Sequence, residues 1–274
     1  MIGMALMAVL MCVNFTACSE DDPTDEEGSS TTQPNNEKKL VGMSSHSERI
    51  NDVYDFKYSK DGRISEIQTD YVRSYEQGIV IYKYNWHSKD SMTVTRDGEL
   101  ARSFYLSNGK IIRQIDYDTE SAPEDFYYFE YDNEGHIKEY EFIDDEHFNN
   151  TKTYTWGNDK LLRCGINHIN NYFSYSSTIY IRYSSTTFKG IFPLFCENVG
   201  LGQDDLFMVH PELVGARTIY LPTEIGGENE DEKYTFSYEF DTDGYVTSCT
   251  VIEYDHRSGS WLPAETYVYN FVWE

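Results

Sequence analysis

The chain has 274 residues and a mass of 31.9 kDa, enough for one large domain or two small ones with a real core. Lys and Arg number 22 against 47 Asp and Glu, a formal net charge of −25. That balance excludes nucleic acid as a partner, since binding it means neutralising phosphates with basic side chains. It equally excludes a polybasic membrane-surface module. An aromatic content of 16% excludes a disordered acidic chain.

Residues 1–17 carry no charged side chain, and Met4 to Val13 is an apolar run. The run is shorter than the roughly 20 residues a membrane-spanning helix needs, and it suits the core of a secretory signal. The basic segment that opens such signals is missing, as a start placed too late would leave it. Phe15-Thr16-Ala17-Cys18 resembles a bacterial lipobox, with Phe15 where Leu is favoured. The resemblance implies cleavage before Cys18 and its acylation, which would moor the protein to the outer membrane. Ser19-Glu20-Asp21-Asp22 is similar to the acidic signal that sends Bacteroidota lipoproteins to the outer face of that membrane. Residues 18–38, rich in acids, Ser and Thr, read as a flexible tether before a single domain at 39–274.

Cys12 falls in the signal and Cys18 at the lipobox, leaving Cys164, Cys196 and Cys249. These three are too widely spaced for a disulfide framework or a zinc site. One bridge and buried free thiols both remain open.

From residue 40 the pattern is period two. Tyr54, Phe56 and Tyr58 share a strand face, as do Tyr82, Tyr84 and Trp86, then Tyr127, Phe129 and Tyr131, and later Phe236, Tyr238 and Phe240. One aromatic face against one polar face predicts half-buried antiparallel strands. A repeat is superimposed on them: an aromatic, Gly four residues on and an aliphatic six residues on. Its copies are Tyr58, Gly62, Ile64; Tyr105, Gly109, Ile111; Tyr131, Gly135, Ile137; and Phe240, Gly244, Val246. Trp156, Lys160, Leu162 is a degenerate copy. The turns at 109, 135 and 160 are 26 and 25 residues apart, and a weaker hairpin at His87 to Asp90 fills the gap before them. Asp61-Gly62, Asn108-Gly109 and Asp243-Gly244 supply the glycine such turns require.

The pattern breaks over 186–232, which reads as an irregular insert followed by an acidic loop. Asp204-Asp205 is placed to cap one short helix there, and the insert is expected to plug an open end of the sheet. Strands resume at Lys233. The expected fold is all-β: an antiparallel up-and-down meander of about 14 to 18 strands, the number that strands of five to six residues would give. The sheet would be curved or partly closed into a soluble barrel.

The units, Tyr58-Ser59-Lys60-Asp61-Gly62-Arg63-Ile64 above all, resemble the Tyr-Asp repeats of Rhs-type shell proteins. Over residues 40–274 the whole arrangement resembles a family of Bacteroidota lipoproteins of unknown function with a porin-like fold. That family implies a fold and brings no catalytic residues. Outward charges such as Asp55 and Lys57 argue against a wall that faces lipid.

Chemistry is sparsely signalled. Asp116 to Glu146 holds thirteen acids against Lys138, and a pair of them could hydrolyse a glycoside. Alternation instead assigns Glu130, Glu139 and Glu141 to an outer face. Asp241-Thr242-Asp243-Gly244 is a fragment of a calcium loop without its remaining ligands and serves as a turn. No two of the seven His have metal-ligand spacing, so no metal or cofactor is expected. Trp86, Trp156, Trp261 and Trp273 read as core or cross-strand residues before sugar platforms. Asp90-Ser91-Met92 resembles a Bacteroidota O-glycosylation sequence, which would place a glycan on Ser91. The expected function is non-enzymatic: a surface-exposed outer-membrane lipoprotein that binds a glycan or a partner protein, or serves a structural role. The alternative is an acidic-pair glycan hydrolase, and a concave site holding two carboxylates beside aromatics would favour it.

Overall fold

A computed structural model describes residues 37–73, 76–118, 123–144, 149–169, 174–192, 205–227, 232–257 and 259–274. The expectations for Cys18 and for Ser19, Glu20, Asp21 and Asp22 lie outside these residues. The folded unit starts at Glu37, inside the expected tether. Lys38 is already fixed by ion pairs of 2.8 and 2.7 Å to Asp241 and Asp243.

Alternating sequence gives sixteen strands. The first eight are β1 (Leu40–His46), β2 (Ile50–Tyr58), β3 (Ile64–Arg73), β4 (Glu76–Trp86), β5 (Ser91–Arg96), β6 (Glu99–Ser107), β7 (Lys110–Tyr117) and β8 (Pro123–Tyr131). Then come β9 (Ile137–Asp144), β10 (Asn149–Gly157), β11 (Lys160–Ile169), β12 (Ser174–Thr187), β13 (Tyr220–Gly227), β14 (Glu232–Phe240), β15 (Val246–Arg257) and β16 (Ser260–Trp273). Each pairs antiparallel with its sequence neighbours, and β1 pairs with β16, so the meander closes into a barrel. Closure extends past the strands, where Lys39 and Glu274 exchange backbone hydrogen bonds of 2.6 and 2.9 Å. A closed sheet leaves no edge to aggregate.

In an up-and-down barrel, connections alternate between rims. The turns of the sequence repeat, at 59–63, 108–109, 132–136, 158–159 and 241–245, therefore all fall on one rim, with 87–90 beside them. Strands joined at the far rim splay here, and their last backbone groups lose ladder partners. Aromatic side chains close these seams. Tyr58 donates its hydroxyl to Leu40 O at 2.7 Å, and Trp86 its indole N–H to Ile64 O at 3.1 Å. Tyr131 donates to Ile111 O, and Trp156 to Ile137 O at 2.7 Å. Tyr183, Tyr238 and Trp273 donate to Leu161, Pro222 and Val246 at 2.9, 2.6 and 2.7 Å. In all seven seams the acceptor lies two residues, and the donor three residues, past the last ladder pair. The seam between β5 and β6 is closed by backbone instead, Leu106 N to Asp90 O at 2.8 Å.

This geometry corrects three copies of the repeat. Asn108-Gly109 and Asn158-Asp159 are two-residue turns with positive φ at every position. Inward residues flanking such a turn are five apart rather than six: Leu106 pairs with Ile111, and Trp156 with Leu161. Tyr105 and Leu162 consequently point outward, each 42% exposed. On β14 the inward latch is Tyr238, and Phe240 is 41% exposed.

The insert is also shorter than expected, because pairing resumes with β13 at Tyr220 rather than at Lys233. The described part of the insert packs into the repeat rim. Helix α1 (Leu206–Val209) buries Leu206 and Phe207, with the Phe207 ring edge-on to Phe104 and Phe129, each at 6.3 Å. Asp205 precedes α1 but makes no capping side-chain bond. A 3-10 turn, Pro211–Val214, follows. Tyr131 donates to Leu213 O at 3.3 Å, and Ile137 N to Gly215 O at 3.1 Å. Gly215 has φ +62°, and a Cβ there would sit 2.6 Å from Gly135 O and 2.8 Å from Ile137 N. Only glycine lets the plug approach the wall this closely.

Candidate functional site

The plug fills the repeat-rim half of the lumen with apolar side chains and leaves the far half concave. One concavity there is a cup of about 470 Å³ between the inner faces of β1, β2, β3 and β14, β15, β16. Met208 of the plug, with Met43 and Val251, lines its apolar part; Tyr54, Tyr234, Tyr267 and Tyr269 line its walls. Alternation explains why these residues face inward. Tyr54 is in phase with buried Phe56, and Tyr267 and Tyr269 with buried Phe271.

Asp52 is the unusual member of the cup. Its side chain is 6% exposed, Oδ2 lies 3.6 Å from Arg73 Nη2, and buried Oδ1 has no hydrogen-bond partner. Burial pushes its carboxyl above the ordinary value, and the Arg73 charge pulls it only partly back. Ser45, also buried, pairs with Asp52 in the β1–β2 ladder. Tyr267 donates its hydroxyl to Glu253 Oε2 at 3.1 Å; burial, then the Glu253 charge, pushes that phenol up.

A second concavity of about 420 Å³ lies against β4, β6, β7 and β8, lined by Tyr82, Arg102, Asp116 and Asp125 among others. Asp116 faces Asp125 across the ladder. Asp116 also accepts from Gln114 at 2.8 Å and lies 3.5 Å from Arg102 Nε. The acidic stretch of the sequence is thus divided. Asp116 and Asp125 line a concavity, while Glu130, out of phase with buried Phe129, is outward and 3.3 Å from Lys138.

Other expected positions fall as follows. Ser91 opens β5 on the repeat rim, half-buried, 3.1 Å from Ser88 Oγ. In the Asp241 turn, Oδ1 accepts from Asp243 N and Tyr245 N at 2.9 Å each, and Oδ2 holds Lys38. Those carboxylates are occupied by backbone and a cation. Trp86, Trp156 and Trp273 are seam latches, and Trp261 is an exposed strand residue 5.0 Å from His256. Cys164 and Cys249 are both buried and not bridged to each other, and burial pushes the Cys249 thiol up; Cys196 lies outside the described residues.

Two groupings escaped the sequence. Asp132, Glu134 and His136 come within 4.8 Å of one another in one turn. A search for paired His does not find such a mixed set. The Asp132 Oδ1 atom already caps the turn by accepting from Glu134 N and His136 N, and the imidazole stacks on Trp156 at 4.6 Å. The second grouping is the cup itself, whose residues come from both ends of the chain. Its local signal is an acid, Asp52 and again Glu253, in the phase that alternation reserves for apolar and aromatic residues.

No family model matches this chain, and comparison with curated protein sequences gives no match. Several solved structures share its fold, two of them porin-like proteins. A porin-like protein from Bacteroides uniformis superposes with a TM-score of 0.62 at 15% identity, covering 86% of this chain and 96% of its own. A porin-like protein from Bacteroides vulgatus gives 0.60 at 11% identity, covering 86% and 99%. At these identities the likeness establishes the fold: a closed, porin-like barrel.

Proposed function

We propose that this chain is a cell-envelope barrel with a non-catalytic binding role, moored to the outer membrane by acyl groups on Cys18 and exposed at the surface, whose cup takes a glycan. The observation that carries the reading is the cup: an open, tyrosine-walled concavity lined by Asp52, whose nearly buried carboxylate has one oxygen without a protein hydrogen-bond partner. Tyrosine faces accept the apolar face of a sugar, and the carboxylate accepts from its polar groups. An isolated acceptor of this kind costs stability unless a ligand fills it.

The wall supports a barrel held at the membrane rather than through it. A spanning barrel turns apolar residues to lipid and keeps a polar lumen. Here the arrangement is inverted: Lys57, Glu130, Lys138 and Arg182 stand on the outer face while Phe104, Phe129 and Phe207 fill the interior.

The hydrolase reading has two pairs to draw on: Asp116 and Asp125, facing each other beside Tyr82 in the second concavity with Asp116 engaged by Arg102 and Gln114, and Asp52 and Glu253 in the cup. Ladder register weighs against the cup pair. From Asp52 the pairing runs through Ser45 and Tyr269 to Cys249, four residues short of Glu253. In the sheet that is about 14 Å across strands and about 13 Å along them, against carboxyl separations of about 5 to 9.5 Å in glycosidases.

A glycan array probed with the purified protein tests the binding reading. Selective capture supports it, and silence across the array moves the assignment to a protein partner. Product release from a captured glycan would establish the hydrolase instead.

A further inference from the structure

The cup also indicates the charge of what it holds. An ionised Asp52 carboxylate can only accept, and no protein donor reaches its Oδ1. The cup wall adds Glu253, whose ligand atom lies within 4.8 Å of those of Glu232 and Asp255. Across the β15–β16 ladder stands Glu265, whose buried Oε1 is likewise unpartnered. Against these five carboxylates, two of them on the cup wall, the described residues of that wall offer one cation, Arg73, already beside Asp52. The nearby Lys233 is held over the Tyr254 and Trp261 rings.

Such a field repels uronates, sulfates and phosphates and concentrates cations. Four tyrosine rings around a carboxylate form the surroundings in which an ammonium is held by ring faces as well as by charge. A cavity of about 470 Å³ suits a ligand of one or two sugar rings.

We propose that the cup recognises an amino sugar with a free, protonated amine, the ammonium pairing with the Asp52 carboxylate while the tyrosine rings pack on the sugar. This rests on the glycan reading above and adds the charge requirement to it. Arg73 then balances Asp52 in the empty cup, and the ammonium completes the carboxylate's hydrogen bonding when bound.

Titration calorimetry on the full chain tests the proposal with four probes: the disaccharide of glucosamine, its N,N′-diacetyl form, the disaccharide of galacturonate, and cadaverine. The glucosamine disaccharide should bind. Acetylation, which removes the charge, should weaken it at least tenfold, and galacturonate should not bind. Asp52→Asn should weaken the glucosamine disaccharide at least tenfold, with Glu253→Gln a second, smaller loss. Equal or tighter binding of the acetylated or acidic sugar overturns the charge requirement and leaves the glycan reading standing. Binding of cadaverine with silence from every sugar overturns the glycan reading and keeps an amine site. Failure of every amine to bind, or an Asp52→Asn variant that binds like the parent, overturns the proposal.

Discussion

Tyr183→Phe tests the aromatic seams directly. The substitution keeps the ring and removes only the hydroxyl that donates to Leu161 O at 2.9 Å. Leu161 is fully buried, and the β11–β12 ladder ends at Arg163 and Tyr180, so no backbone donor replaces the lost one. An orphaned buried carbonyl costs about 1 to 3 kcal/mol, offset in part by the easier burial of Phe. A net loss of about 1 to 2 kcal/mol is expected, about 3 to 6 °C in melting temperature for a domain of this size. Urea unfolding should show a lower midpoint with an unchanged slope. Tyr105→Phe is the internal control. Sequence spacing ranks Tyr105 with Tyr58 and Tyr131, but its outward ring makes no seam, so its loss should fall within about 0.5 kcal/mol. A Tyr183→Phe variant as stable as the parent, or a Tyr105→Phe variant equally damaged, refutes the seam mechanism.

Asp52→Asn should stabilise the barrel at pH 7 by about 1 kcal/mol, raising the melting temperature by about 2 to 4 °C. The sign follows from linkage: burial raises the folded carboxyl above its ordinary value of 3.8, so within that window the native state binds more protons and loses stability as pH rises. The advantage of Asn should therefore shrink on acidification and vanish below about pH 3.8, and melting curves across pH would reveal a constant difference if burial were not its cause. Gly215→Ala should cost more than about 2 kcal/mol, since positive φ and backbone contact both oppose a Cβ; a small shift in the urea midpoint would show that the plug is loosely seated. Cys164 and Cys249 should react with a thiol reagent only after unfolding, and fast native labelling would contradict their burial. Cys18→Ala should release the protein from the membrane fraction, and unchanged retention would remove the lipid anchor from the proposed function.

The seams also account for the sequence repeat. A turn needs glycine at one position, which explains Gly62, Gly135 and Gly244 without further argument. Turn chemistry does not explain an aromatic just ahead of it. The seams do, because antiparallel strands joined at one rim diverge at the other, and only a long donor-bearing ring reaches the stranded carbonyl. Tyr and Trp combine the two needs, an apolar body for the core and one polar atom for the backbone. Phe240, which carries no donor, makes no seam, and Tyr238 closes it instead.

Strands, turns and their approximate number were determined by the sequence alone, because alternation and turn chemistry act over two to six residues. Tyr54, Phe56 and Tyr58 face inward for no reason beyond their spacing. Tertiary structure decided what depends on distant partners. Whether Tyr105 or Leu106 faced the core turned on the length of one turn and the ladder it set. The seating of Phe207 between Phe104 and Phe129 required a plug folded into a barrel already curved. The cup required most of all, since Asp52 and Tyr267 share a cavity only because β1 pairs with β16. Local rules place each side chain on a face; which faces meet is fixed by closure, whose contacts span the whole length of the chain.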